Sequence, residues 1–518
     1  MDQAGQNLKK PRRGPRRLVI LGWIVGLIVV FYAQEDWRGW HAWHQFQKEW
    51  EAKGEKFGRQ PYIPPPVPDD QNFALTPIVF TSYGGLLTRD GKEIPVEKRD
   101  TNFVNRMQMQ LWAEDRILDS GTNYTGDWRK AETSDLTCWQ GYYRTLATIT
   151  NLFPVAAQPQ SPAQDVLLAL SKYDATIEEL RTAAKLPASR FPIEYDKELA
   201  SDIILPHLAG IRSSTRILQM RAIAELQANR TSQALADVKL MLRLADSIRS
   251  EPFLISQLVR TATINLAIQP IYDGLASRQW SKAQLVELDS ILATEDSLSD
   301  YKLALRGDLN FLSSANLEYW RRCPWRLTYF SETNPPLVAK ALCSFIPSGV
   351  FYQNQVHCAR ATEEYLVPMA DVTEHVVSLD SVSRGRAAIA AETRNPTAYN
   401  IFERLLMPAE IATINKFAQA QNALDMARTA IALENYRMVY GEFPNELNLV
   451  SPLPDTPLPH DVINGEPLEY RRETKGQFVL YSIGWNGTDD GGVVALKTGT
   501  TPSVDFTRGD WVWKYPAK

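Results

Sequence analysis

The stretch RAIAELQANRTSQALADVKLMLRLADSI, residues 221–248, decides the class of fold. Apolar residues recur every three or four positions on both sides of a short polar turn, which predicts two amphipathic helices packed as a hairpin. Ala224 and Ala236 lie twelve apart, as small residues do where tetratricopeptide helices cross, but no second copy follows at a 34-residue period. We therefore predict a helical bundle rather than a repeat array.

The helical pattern extends in both directions from this hairpin. One helix face upstream is traced by Leu208, Ile211, Thr215, Leu218, Ala222 and Leu226. Capping boxes at Ser161–Gln164 and at 281–284 predict two further helix starts. Another apolar face is traced by Ile255, Val259, Ala262 and Leu266, and we expect this helix to stop near Pro270. Residues 320–360 contain proline and cysteine and are predicted as a break, after which the helices resume.

An uncharged run precedes all of this, LVILGWIVGLIVVFYA at 18–33. Its sixteen residues would rise about 24 Å as a helix, a little less than the ~30 Å hydrocarbon core of a bilayer. Basic side chains before the run and aromatic side chains after it are typical of a membrane span. They are Lys9, Lys10, Arg12, Arg13, Arg16 and Arg17, and then Tyr32, Trp37, Trp40 and Trp43. We predict a transmembrane anchor at 18–33.

The charge asymmetry also predicts an orientation. The positive-inside rule places the basic tail, 1–17, in the cytoplasm and everything after Gln34 outside it. This predicts a single-pass protein of the bacterial inner membrane whose bulk is periplasmic. Two alternatives stay open. A cleaved signal peptide requires small residues before its cleavage site, where this chain has Phe31, and a buried core helix seldom follows so many basic residues.

Three regions are predicted beyond the anchor. Residues 34–73 comprise a juxtamembrane helix and a proline-rich stretch, PYIPPPVPDD at 61–70, which we expect to be a stiff spacer. His41 and His44 have a spacing that could share a metal, but the tryptophans around them favour a membrane-interface role. Residues 74–415 are predicted as a mostly helical body, and 416–518 as a separate α+β module.

Composition and cysteine content exclude several classes of function. A net charge of −4 argues against a general nucleic-acid-binding protein, and a length of 518 residues predicts more than one core. No CxxC pair exists among the four cysteines, so a cysteine-ligated zinc site is not expected. After export, a disulfide between Cys323 and Cys343 fits the sequence, and so do free buried thiols at these positions, Cys138 and Cys358.

No catalytic motif stands out in the sequence. It has no G-x-S-x-G elbow, no H-E-x-x-H helix, no Walker A loop and no G-x-G-x-x-G turn. His357 and Cys358 are adjacent, but adjacency alone does not make a nucleophilic dyad. The acidic pairs at 178–179 and 363–364 fall in predicted helices, and we expect all four carboxylates to face solvent.

The C-terminal hundred residues change character after Tyr440. Loop-forming residues fill 441–470, and short strand-like runs follow at 468–471 and 477–483. In RGDWVWKYP, 508–516, two tryptophans alternate as on a strand. A long Ala-rich helix followed by a few antiparallel strands predicts a small α+β unit.

Several short motifs succeed one another in this tail. Tyr436-Arg437 and GEFP at 441–444 come first, then NGEPLEY at 464–470, YSIG at 481–484 and two Gly-containing pairs at 486–487 and 491–492. In this order they resemble the C-terminal part of type II secretion major pseudopilins, over about 420–515. With PPPVPDDQNF and EPFLISQLVR they also resemble membrane-anchored proteins of planctomycetes and verrucomicrobia, whose activity is not established. The anchor departs from a pseudopilin because it lacks the glutamate near the helix start.

The loop LYSIGWNGTDDGG at 480–492 is the candidate metal site. Side-chain oxygens stand at the first, third and fifth positions from Asn486 and glycine at the sixth, as in a calcium loop, but an EF-hand requires glutamate where the chain has Lys497. The pseudopilin resemblance implies calcium held by backbone carbonyls and nearby carboxylates. The candidate ligands are Asn486, Thr488, Asp489, Asp490 and Asp505. The alternative is a hairpin connection that uses these residues for positive φ.

These patterns predict a membrane-anchored extracytoplasmic scaffold or interaction protein of the bacterial envelope, related to secretion or pilus-like machinery. The alternative is an envelope hydrolase whose site is assembled from residues remote in sequence. The expected partners are the membrane, through 18–33, and other proteins, but not nucleic acid. No cofactor is predicted apart from calcium in the loop.

Overall fold

The computed structural model describes residues 14–83, 88–89, 92–93, 105–113, 126–330, 336–451, 457–473, 476–499 and 502–516. Its described residues are mostly helical, with a few small antiparallel sheets near the C-terminus and one N-terminal apolar helix. This confirms the predicted fold class in outline. Four basic residues of the predicted cytoplasmic tail lie outside the described residues, namely Lys9, Lys10, Arg12 and Arg13.

The α-helices up to the middle of the chain are α1 Gly14–Glu51, α2 Pro77–Phe80, α3 Thr137–Leu146, α4 Pro162–Leu170, α5 Asp174–Ala183, α6 His207–Gln227, α7 Thr231–Asp246 and α8 Leu254–Ala276. Those that follow are α9 Lys282–Leu292, α10 Ser297–Asp308, α11 Ser314–Arg322, α12 Leu337–Ser344, α13 Ser348–Arg360, α14 Leu379–Thr393, α15 Ile401–Ile411 and α16 Thr413–Tyr440. Two π-helical segments, Leu309–Ser313 and Ala361–Leu366, continue α10 and α13 without a break.

The strands are β1 Thr88–Arg89, β2 Lys92–Glu93, β3 Ala370–Asp371, β4 Val376–Val377, β5 Glu469–Glu473, β6 Gln477–Ser482, β7 Val494–Lys497, β8 Ser503–Gly509 and β9 Trp511–Lys514. All pairings are antiparallel: β1 with β2, β3 with β4, β7 with β8, and a three-stranded sheet in the order β5-β6-β9.

The centre of the fold is the predicted hairpin of α6 and α7, which packs on α8. The predicted inner face of α6 is buried throughout, from Leu208 to Leu226. Both capping boxes form, at the starts of α4 and α9. α10 and α16 pack on this group, and one large core cluster includes side chains from Phe73 to Trp513. The predicted division at 415/416 falls near the start of α16.

The inner face of α8 is not the predicted one, and the helix does not stop at Pro270 but continues to Ala276. Ile255 is 55 % exposed, whereas the buried side includes Arg260. The interior accepts this arginine because Asp300 receives its Nε–H at 2.8 Å and Glu295 also pairs with it. Paired charges can occupy positions that apolar periodicity assigns to hydrophobic residues.

α1 is one continuous helix of 38 residues, long and apolar enough to cross a membrane. The apolar side chains over 18–31 are exposed, while the second half of α1 packs on α13. Trp43, predicted at the membrane interface, is instead buried with Phe46 in a second core cluster that includes Phe351. Trp37 and Trp40 remain exposed.

α1 and α13 cross at two glycines in direct backbone contact. A Cβ on Gly39 would lie 2.5 Å from Cα of Gly349, and a Cβ on Gly349 would lie 2.1 Å from the carbonyl oxygen of Glu35. The Asp36 carboxylate accepts the N–H of Gly349 at 2.9 Å. Such small-residue contacts bring helix backbones as close as they can approach.

The proline-rich stretch does not separate the body from α1. Pro64 is buried, Tyr62 and Ile63 pack on the core, and the N–H of Gly58 donates to Asn310 Oδ1 at 2.7 Å. The spacer prediction is therefore wrong, because polyproline stiffness does not prevent its side chains from packing. The predicted break at 320–360 is also wrong in part, since it contains α12 and α13.

The three-stranded sheet packs against the helices through Trp513, which contacts the rings of Trp128 and Tyr272. Strands were predicted at β5, β6 and β9, and all three form. β7 and β8 were not predicted.

Each cysteine is a free thiol, so the Cys323–Cys343 disulfide does not form in the structure.

Candidate functional site

Three helices bring one histidine and two glutamates together. His357 lies in the last turn of α13, Glu392 near the end of α14 and Glu403 in the first turn of α15. One ligand atom of each lies within 4.8 Å of the others. These residues are far apart in the sequence, and only the packing of the helices forms the cluster.

Both carboxylates approach the same nitrogen of the imidazole ring. His357 Nδ1 is 3.3 Å from Glu403 Oε2 and 3.6 Å from Glu392 Oε2. The hydroxyl of Tyr365 donates to Glu392 Oε1 at 2.7 Å, which orients that carboxylate. The side chains of His357 and Glu392 are 26 % and 24 % exposed, so one side of the cluster is open to solvent.

Glu403 closes the inner side of the cluster. Its side chain is fully buried, and neither carboxylate oxygen has a hydrogen-bond partner among the described residues. A buried carboxylate without compensation is costly, so a positive charge is required beside it. A divalent cation bound by all three side chains would supply that charge.

The donor set matches a borderline transition metal. Imidazole nitrogen and carboxylate oxygen are ligands of Zn²⁺, and three protein ligands with one open side are typical of catalytic rather than structural zinc sites. A metal held by these residues would supply a bound water that is nucleophilic near neutral pH.

Further buried acids lie behind the cluster. Glu403, Met407 and Glu410 form the inner face of α15. Burial first, and then the charge of Asp308, raises the pKa of Glu410 well above its usual value. Burial likewise raises the pKa of Asp308 to about 7, against the lowering effect of the Leu254 N–H that its carboxylate accepts.

Cys358 does not form a nucleophilic pair with His357. Its thiol is completely buried, whereas the histidine side chain reaches the surface. Burial, and then the charges of Glu410 and Glu403, raises the pKa of this thiol well above its usual value. A reactive cysteine requires the opposite, a lowered pKa and access to solvent.

One acidic pair departs from the expected solvent-facing arrangement. Glu363 is 3 % exposed and lies 3.7 Å from Arg306, and burial raises its pKa to about 7. The π-helical segment Ala361–Leu366 contains it, and its extra residue per turn shifts which side chains face inward. Glu178 is exposed as predicted.

The glycine-rich loop after β6 is held by hydrogen bonds within the tail. Asn486 Nδ2 donates to Asp490 Oδ2 at 2.8 Å, and Asp489 Oδ1 accepts from the Tyr481 hydroxyl at 3.1 Å and the Gly491 N–H at 2.8 Å. The N–H of Thr488 is 3.4 Å from Asn486 Oδ1. Several of the predicted ligand oxygens are thus engaged as turn acceptors.

Asp505 and Asp510 both accept hydrogen bonds from backbone N–H groups of the tail. Asp505 accepts from the backbone and hydroxyl of Thr507 and from Arg508 Nε at 2.8 Å, and these bonds lower its pKa to about 2. Asp510, which was not predicted, accepts N–H groups of the loop at 490, 492 and 493. Calcium binding by the loop stays a prediction.

No protein-family model, curated protein or solved structure matches the chain. The pseudopilin resemblance of the tail therefore stays a proposal, and the residues themselves carry the functional argument.

The opposite side of α15 lines an apolar groove of about 380 Å³. Phe402 and Leu405 face this groove while Glu403, between them, faces His357. The other large apolar lining residues are Leu199, Leu312, Leu317, Trp320 and Leu406. α15 thus separates a polar cluster from an apolar surface.

Sequence reasoning missed Glu392, Glu403 and Glu410. One available signal was the seven-residue spacing of Glu403 and Glu410 around Met407, which places two carboxylates on one apolar helix face. No local pattern connects them to His357.

Proposed function

We propose that the chain is a membrane-anchored extracytoplasmic scaffold or interaction protein of the bacterial envelope, held in the inner membrane by residues 18–33. The observation that carries this proposal is the packing of α1 on the body at Gly39 and Gly349. A flexible tether would let the body drift, whereas this crossing fixes its position relative to the apolar part of α1. A fixed position beside a membrane suits a protein that organises others.

A link to secretion or pilus-like machinery rests on the resemblance of the tail to major pseudopilins. The periplasmic orientation rests on the basic residues that precede the apolar run. Protease added to spheroplasts should digest the body, and protease added to inside-out vesicles should not. The reverse pattern would refute the orientation.

Chemical cross-linking in intact membranes tests the scaffold role. The full-length chain, purified afterwards under denaturing conditions, should carry a discrete protein adduct of constant stoichiometry. Gly39→Ala, which loosens the body from α1, should reduce the adduct, while Gly26→Ala in the same helix should not, because no other residue lies within 4 Å of a Cβ there. Recovery of the native chain only as a monomer would contradict the proposal.

A second function, metal-assisted hydrolysis, is favoured by the cluster of His357, Glu392 and Glu403. Calorimetric titration of the full chain with Zn²⁺ tests the site. Native protein and Glu364→Gln should bind one ion, because Glu364 is a neighbouring acid outside the cluster, and Glu403→Gln should lose binding. Binding retained by Glu403→Gln would exclude the cluster as the site.

Hydrolysis is tested separately with the zinc-loaded chain and a panel of activated esters, phosphoesters and peptides. Turnover that disappears in Glu403→Gln would establish an enzyme. Zinc binding without turnover would leave a structural metal and favour the scaffold role.

A further inference from the structure

We propose that α12 is an interfacial membrane helix, a second element of the chain that contacts the bilayer beside α1. The helix follows Pro336 and reads LVAKALCS, with Phe345 directly after it. None of its residues is buried. The exposed fractions are 82 % for Leu337, 70 % for Val338, 67 % for Leu342 and 70 % for Phe345.

The exposed apolar residues share one side of the helix. At 100° per residue, Leu337, Val338, Leu342 and Phe345 fall within less than half a turn of one another, and Lys340 falls on the other side. Ala339 and Cys343 are half-buried and lie on the side away from the apolar one. An amphipathic helix of this kind, with an apolar face that the described part of the chain leaves uncovered, is typical of elements that lie in a membrane interface.

The position of α12 identifies the bilayer as the occupant of this face. The hydroxyl of Tyr32, near the end of the apolar run of α1, donates to the carbonyl oxygen of Phe345. α13 begins three residues later and crosses α1 at Gly39, two turns further from the membrane. The end of α12 therefore lies at the level where α1 leaves the predicted hydrocarbon span.

Length also favours lipid contact. A helix of eight residues is unstable in water on its own, and α12, which packs on the segment Pro324–Phe330, has no fully buried side chain to stabilise it. The bilayer interface supplies an apolar medium for its four large exposed apolar side chains. The body would then touch the membrane at two places, α1 and α12.

Photo-cross-linking of the full chain in lipid nanodiscs of phosphatidylethanolamine and phosphatidylglycerol tests the proposal. Three leucines are each 67 % exposed and make matched sites for p-benzoylphenylalanine: Leu27 in the apolar run, Leu342 in α12 and Leu405 in α15. After irradiation, the mass of each adduct identifies lipid or protein. An unchanged thermal melt for each labelled chain verifies the fold.

Lipid adducts at positions 27 and 342, with none at 405, are the expected result. A lipid adduct at 27 but none at 342 would overturn the proposal, and so would a protein adduct at 342, which would indicate a second copy of the chain on this face. The inference rests on the membrane anchoring of α1, and that anchoring fails separately if position 27 gives no lipid adduct.

Discussion

Substitution of Gly39 by alanine tests the crossing of α1 and α13 directly. The new Cβ would lie 2.5 Å from both Cα and O of Gly349, and 2.9 Å from its carbonyl carbon. All three are backbone atoms, so no side-chain rotation relieves the clash. The helices must separate by about 1 Å to restore ordinary contact, and overpacking of this kind costs roughly 1–3 kcal/mol.

Hydrogen–deuterium exchange of the full chain in nanodiscs measures this cost locally. Measured against Gly26→Ala, which gains the same helix propensity from alanine, a destabilisation of about 1–3 kcal/mol corresponds to roughly 5- to 150-fold faster opening. The acceleration should appear in amides of the second half of α1 and of α13, because Trp43, Phe46 and Phe351 share one cluster across the crossing. Peptides from the α6–α7 hairpin should exchange as in the native chain.

Gly26→Ala is the matched control, since the same change in the same helix meets no atom within 4 Å. In a helix interior, alanine is more favourable than glycine by about 1 kcal/mol, so this variant should not accelerate exchange. Exchange at the native rate in Gly39→Ala would show that the two backbones are not in contact. It would also refute the rigid attachment of the body to α1.

Asp308→Asn should flatten the pH dependence of stability between about pH 4 and pH 7. Because the native pKa is about 7 and the ordinary value is 3.8, the native carboxyl stays protonated where the unfolded one ionises. Its contribution makes stability fall by up to ~1.4 kcal/mol per pH unit as pH rises, so urea titrations should show a slope that is shallower by about this amount with asparagine. Gly307→Ala should lower the urea midpoint, because its Cβ would lie 1.5 Å from the carbonyl oxygen of Pro252; an unchanged midpoint would contradict the close approach. Calcium should raise the melting temperature of the native chain but not of the double variant Asp489→Ala, Asp490→Ala, and no shift in either would reject calcium binding.

The helices could be predicted where local signals and burial agree. The face from Leu208 to Leu226 is buried as its periodicity predicts, and the capping boxes at Ser161 and Ser281 start helices because both halves of each motif are local. The strands around Tyr481 and Trp511 follow from alternation and β propensity in the same way. These elements depend on residues within a few positions of one another.

Predictions failed where a distant partner decides the outcome. Arg260 is buried because Asp300 in α10 and Glu295 in the connection before α10 approach it, which changes the inner face of α8. Trp43 is buried because α13 covers it. The sequence predicted a membrane interface there because Trp43 is one of several aromatic residues that follow the apolar run. The cluster at Glu403 depends on three helices, so one sequence holds no pattern that reveals it.

The rigid junction of α1 with the body limits the volume that the protein can search. A flexible linker lets a domain occupy many positions and orientations relative to its attachment point. The effective concentration of any one of its surfaces is therefore low. The second half of α1, residues 34–51, rises only about 27 Å and is packed on the body over much of that length. If residues 18–33 span a membrane as proposed, a partner in the same membrane would meet one fixed face of this protein, at a high effective concentration and after diffusion in two dimensions only.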